Sequence, residues 1–79
     1  MDETKKTVLE ILEEIKPGTD FENDTDLTGH GILDSLSIIT LTMELNERFG
    51  IEITPLDIVP DNFRTVDAIT EMTNRLENE

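Results

Sequence analysis

Apolar and polar residues first fall into a helical rhythm between Thr4 and Lys16. Val8, Ile11, Leu12 and Ile15 share one face, Glu10, Glu13 and Glu14 the other, and Leu9 lies on the boundary. Pro17 and Gly18 end this predicted first helix, because proline has no amide hydrogen to continue the ladder. The rhythm is then lost over "TDFENDTDLTGHG", residues 19–31, whose Asp, Asn, Thr and Gly favour turns through side-chain to backbone hydrogen bonds. A loop this long in a small domain needs anchors, and Phe21 and Leu27 are the residues expected to pin it to the core.

Helical spacing resumes at Asp34 or Ser35 and continues to about Arg48, with Gly50 placed to cap the C-terminus. This second helix carries two apolar lines: Leu36, Ile39 and Met43 on one, Ile38, Leu41, Leu45 and Phe49 on the other. One core stripe does not need so broad a surface. The excess predicts a helix that packs on one side and receives a partner or a second layer on another. Pro55 and Pro60 argue against a continuous helix from Ile51 to Phe63 and leave room for a short helical turn at Leu56–Val59. A last helix is expected from an N-cap at Thr65 to Leu76, with Val66, Ile69, Met72 or Thr73, and Leu76 facing inward. The pattern therefore predicts one all-α domain over residues 1–79, a four-helix bundle of three main helices and a short third one.

Composition narrows the ways this bundle can be held together. With 79 residues, no cysteine, no tryptophan and no tyrosine, the core must be built mainly from Leu, Ile, Val, Met and three Phe, without disulfides or thiolate-bound metal. Nineteen acids against six bases give a net charge of −13, which repels nucleic acid and anionic lipid and favours partners with basic patches. The start "MDETKK" lacks the features of a signal peptide, and no apolar run approaches the roughly 18 residues that span a bilayer. A cytoplasmic monomer that neither binds nucleic acid nor inserts into membranes is expected.

The stretch "GHGILDSLSIITL", residues 29–41, concentrates the candidate chemistry. Physics alone makes Ser35 beside Asp34 an ordinary helix start, since either side chain can accept a hydrogen bond from the free amides of the first turn; Asp34 is the better candidate for the cap, which leaves Ser35 to face solvent. A hydroxyl at a helix N-terminus also suits a phosphodiester, whose charge the helix dipole favours. A hydrolytic set of Ser35, His30 and Asp34 has the right residue types, but all three lie within six consecutive positions, whereas a triad converges from separate elements around a cleft. His30 is read as a loop or helix-start residue. Asp24, Asp26, Thr28 and Gly29 match the opening of a calcium loop, yet the position of its bidentate glutamate falls on Ser35, so no metal ligands are assigned.

"GILDSLSIITLTMELNERFGIEI", with its acid-serine-leucine at a helix start, resembles the acyl and peptidyl carrier proteins, and "TVDAI" opens the last helix as in that family. The resemblance covers nearly the whole chain. It implies that Ser35 carries 4'-phosphopantetheine from coenzyme A, attached by a phosphopantetheinyl transferase that reads Asp34 and Leu36. The arm would supply the thiol that a cysteine-free chain lacks. It also implies no catalysis by the chain itself: Asp34, Glu44 and Glu47 would meet basic patches on partner enzymes, while Leu36, Met43 and Ile53 match positions of apolar contact. Partners would be an acyl- or aminoacyl-loading ligase and acyltransferases or synthases. The leading expectation is an acyl carrier of fatty acid, polyketide or related biosynthesis. Ser37 and Thr40 stand where many fatty-acid carriers have acids, however, and "NFRT" is more similar to stand-alone aminoacyl carriers. A D-alanyl carrier of teichoic acid modification or a peptide-synthesis carrier is therefore the alternative. An unmodified helical interaction module with a capping Ser35 is the competing reading of another class.

Overall fold

A computed structural model describes residues 3–23 and 26–79. Among the described residues four helices follow in order: α1 Glu3–Ile15, α2 Ser35–Phe49, α3 Pro60–Phe63 and α4 Val66–Glu77. They form the expected acyl-carrier-like bundle. α1 packs mainly on α4 and also on α2, while α3 packs on α4.

The apolar stripes meet where the periodicity placed them. Val8, Ile11 and Leu12 of α1, Leu41 and Leu45 of α2, Phe63 of α3 and Ile69 of α4 have no solvent exposure, and Met72 is buried beside them. Burying each such side chain contributes roughly 1.5–3 kcal/mol, which sets the helices against one another. Both Met72 and Thr73 of α4 turn inward. The Thr73 hydroxyl donates to Ile69 O at 2.9 Å and that of Thr70 to Val66 O at 2.8 Å, so the polar atoms of these buried threonines are satisfied within the helix.

The long loop is anchored as expected, with Phe21 and Leu27 buried. The Leu27 N–H donates to Arg64 O at 2.7 Å, and Leu27 O accepts from Ile32 and Leu33 at 3.0 and 3.1 Å. Between these bonds Asp26 organises a tight turn, its Oδ1 accepting from Gly29 N–H at 2.9 Å and from the Thr28 hydroxyl at 3.3 Å. A Cβ at position 29 would overlap the Asp26 carboxylate, which explains glycine there. The loop thus drives Leu33 into the core and delivers the start of α2 to the surface at a fixed point.

The third helix differs from the expectation. Residues 54–57 form a hydrogen-bonded turn, with Asp57 N–H donating to Thr54 O at 2.9 Å, and the short helix begins only at Pro60. The reason is that proline suits a first helical position: it has no amide to satisfy there, and its fixed φ is already helical. Pro60 starts the short helix rather than breaking one. The Thr65 hydroxyl then caps α4, accepting from Ala68 N–H at 3.0 Å.

Candidate functional site

Asp34 and Ser35 divide the roles of the helix start as the sequence leads one to expect. Asp34 is extended, with φ −92° and ψ −178°, and its Oδ1 accepts the Ser37 N–H at 2.8 Å, so Asp34 is the N-cap of α2. That backbone hydrogen bond from Ser37, aided by the Ser37 hydroxyl, holds the Asp34 carboxyl below the usual carboxylate range. Ser35 is the first helical residue, exposed, and its hydroxyl is engaged by none of the described residues. The amides of Ser35 and Leu36 precede the capped Ser37 at the positive end of the helix. A phosphodiester on the Ser35 oxygen fits this position: it has solvent on its outer side and a favourable dipole beneath it.

The two apolar lines of α2 separate cleanly. Leu41 and Leu45 are fully buried and Ile38 and Phe49 partly so, whereas Leu36, Ile39 and Met43 are 74%, 52% and 66% exposed. The outer line therefore forms an apolar surface beginning one residue after Ser35.

The acids expected on this face are less free than their number suggests. Asp34 is bound to its own helix as a cap. Glu44 pairs with Arg48 at 3.3 Å, and Arg48 also reaches Glu14 of α1 at 3.2 Å. Partial desolvation opposes the Arg48 charge, but the hydrogen bonds it donates to Glu14 and Glu44, together with their negative charges, outweigh it and raise the guanidinium pKa. Glu47 is exposed on the same helix. Ile53 needs correction as a docking residue: it is only 8% exposed and packs in the core. The reason is that its N–H donates to Asn46 Oδ1 at 2.9 Å, which ties the backbone against α2 and turns the side chain inward.

The Asp34 carboxylate is turned to the Ser37 amide, and His30 is an exposed loop residue. In the acidic loop, Asp26 is occupied by its own turn, and Asp24 lies outside the described residues. Among the described residues no three histidine or carboxylate side chains gather as a ligand set, and no helix is long and apolar enough to cross a membrane. The sequence reading missed the exposed Leu56, Ile58 and Val59 before α3. The signal was in "TPLD", a proline-containing stretch flanked by Thr54 and Asp57, the residue types that close a turn.

Comparison with known proteins agrees with this geometry. The phosphopantetheine attachment site family matches residues 4–77. The chain is 44% identical over 55 residues to D-alanyl carrier protein 2 of Lactiplantibacillus plantarum, covering 67% of this chain and 68% of that protein. It is 33% identical over 75 residues to the D-alanyl carrier protein of Streptococcus sanguinis, covering 94% and 95%. With the D-alanyl carrier protein of Bacillus cereus it shares 35% identity over 71 residues, 87% of this chain and 90% of the relative. The leading expectation of fatty acid or polyketide synthesis gains no specific support from these relatives, which favour the aminoacyl alternative. An exposed serine at a capped helix start, in a small acidic helical bundle without a thiol of its own, thus has its explanation: the chain belongs to the phosphopantetheine-attachment family, a carrier of covalent 4'-phosphopantetheine rather than a catalyst.

Proposed function

We propose that Ser35 is the attachment point of the arm and that the cargo is an amino acid held as a thioester, with D-alanine the first candidate. The observation that carries the cargo is the extended similarity to proteins named D-alanyl carriers. The exposed, unengaged Ser35 hydroxyl supports the attachment point. In loading the arm, the Ser35 oxygen attacks the phosphorus that bears the pantetheine chain of coenzyme A. The new O–P bond replaces the bond to the nucleotide phosphate, which leaves as adenosine 3',5'-bisphosphate, and the serine proton passes to a base of the transferase. The terminal thiol of the arm then accepts the aminoacyl group from an activated acyl adenylate and releases AMP.

Partner enzymes in this reading are a phosphopantetheinyl transferase, an adenylating ligase and an acyltransferase that takes the cargo onward. Leu36, Ile39 and Met43 supply an apolar docking face beside the arm, with Glu47 at its edge. Glu44, paired to Arg48, contributes less to that face than a free carboxylate would. Charge of this kind acts mainly on encounter rate and partner choice.

Incubation with coenzyme A, magnesium and a broad-specificity transferase should raise the intact mass by one phosphopantetheine, and Ser35→Ala should stay unmodified. Adding ATP, D-alanine and the D-alanine-adenylating ligase of the same genome should add one alanyl group, removable by hydroxylamine. A native chain that takes up no arm, or an arm that takes other acyl groups but no amino acid, overturns the corresponding half of the reading.

A further inference from the structure

An open groove of about 350 Å³ runs between α1 and α2 and starts beside the attachment point. Leu36, next in the chain to Ser35, lines its near end, with Ile15 and the buried Ile11 of α1 as apolar walls. Ser37 and Thr40 line it further along, and the Thr40 hydroxyl, which donates to Leu36 O at 3.1 Å, keeps its oxygen available as an acceptor. The carboxylates of Glu14 and Glu44 line the far end. Glu44 lies nine residues beyond Ser35, about 13 Å along the helix axis.

The charges along this groove are graded. At the near end the Asp34 carboxylate is bound to the Ser37 amide, and Lys16, just past α1, lies close enough for its charge to act on that carboxyl as well. At the far end two carboxylates share one guanidinium, since Arg48 meets Glu14 at 3.2 Å and Glu44 at 3.3 Å. One negative charge is thus left over. The Glu14 and Glu44 side chains remain 63% and 38% exposed, so a second cation can reach them.

We infer that this groove is the resting place of the loaded arm, with the ammonium of its cargo held between Glu14 and Glu44, an inference that rests on the aminoacyl reading above. An aminoacyl arm carries an anionic phosphodiester at the serine, two amides and a pair of geminal methyls along its length, and a primary ammonium at its tip. The groove presents partners in the same order: a cation near the serine, apolar walls with a hydroxyl acceptor, and surplus negative charge at the end. Each contact is weak by itself, as exposed ion pairs are. The tether makes the encounter intramolecular, at an effective concentration on the order of millimolar, and so populates it. A plain acyl cargo has no ammonium for the far end, which makes the site selective for the aminoacyl form. Neighbouring carboxylates also favour the charged amine, and a protonated amine does not act as a nucleophile towards thioesters.

The test loads isotope-labelled protein from synthetic D-alanyl-coenzyme A or acetyl-coenzyme A with a broad-specificity transferase, so that no ligase takes part. In the D-alanyl form, nuclear Overhauser contacts should join the alanyl methyl to the Thr40 methyl, and the Thr40 and Glu44 amide signals should move from their holo-protein positions. The acetyl form should show less than about a third of that movement, and a double variant with Glu14→Gln and Glu44→Gln should bring the D-alanyl form down to the acetyl level. Arg48→Gln, which leaves both carboxylates unpaired, should instead enlarge the D-alanyl movement. Equal movement with both cargoes, or contacts of the alanyl methyl with core residues such as Leu41 alone, overturns the groove site and leaves the aminoacyl reading intact. Native holo-protein that the D-alanine-adenylating ligase of the same genome does not load overturns the aminoacyl reading, and the role of the groove with it.

Discussion

At the scale of single residues, Asp34 and Ser35 show how neighbours of similar polarity acquire unlike tasks. The backbone at Asp34 is extended, so its carboxylate folds back on the Ser37 amide, while Ser35 has entered the helix and projects from it. Ser35→Ala should accordingly change stability by less than about 0.5 kcal/mol, the range of an uninvolved surface position. Asp34→Ala should lower the urea midpoint at neutral pH. Because the folded-state pKa of Asp34 lies below its ordinary value of 3.8, the stabilisation is present above that value and lost as pH falls through the folded one. The gap between native and Asp34→Ala midpoints should therefore narrow between pH 7 and about pH 3. An equal gap at both pH values would show that the capping bond does not depend on the charge. The sequence favours Asp34 over Ser35 as the cap although the two are comparably good caps, and the extended backbone at Asp34 agrees with that choice.

At the scale of elements, periodicity and punctuation located three helices to within a residue or so. The expected first helix of Thr4–Lys16 is Glu3–Ile15, and the expected end of α2 at Gly50 is a left-handed cap with φ +63°. A side chain at that φ crowds the following carbonyl, so Gly50→Ala should cost about 1 kcal/mol, read from urea unfolding. The short helix was misplaced for a definite reason. Its four residues are too few to show a period, and proline at residue 60 is compatible with either ending or starting a helix. The turn of residues 54–57 and the Val59–Asn62 bond, 3.0 Å from Asn62 N–H to Val59 O, decide for starting.

At the scale of the whole molecule, charge and core act against each other. Thirteen excess acids on 79 residues repel, and moderate salt screens that repulsion over about 10 Å at 0.1 M. The exposed pairs Lys5–Asp67, Arg48–Glu14 and Arg64–Asp61 weaken under the same screening, but each such pair contributes little. The melting temperature should therefore rise from low to moderate salt, as followed by circular dichroism. A fall would mean that the ion pairs, Arg48 between α1 and α2 foremost, outweigh the general repulsion.

The amino-acid sequence by itself determined the helical class, the three long elements, the loop anchors Phe21 and Leu27, and the place of Ser35 at a helix start. These follow from local spacing and from the chemistry of turns and caps, which act over a few residues. Only the tertiary structure decided which apolar line of α2 faces outward, because both lines satisfy the same period and the choice rests on where α1 and α4 pack. Packing likewise took Ile53 into the core, brought Arg48 of α2 to Glu14 of α1, and left Leu56 in solvent. Each of these depends on a contact or latch set by the returning chain after α2 or by a neighbouring helix. Spacing along one element carries no information about what the rest of the chain lays against it.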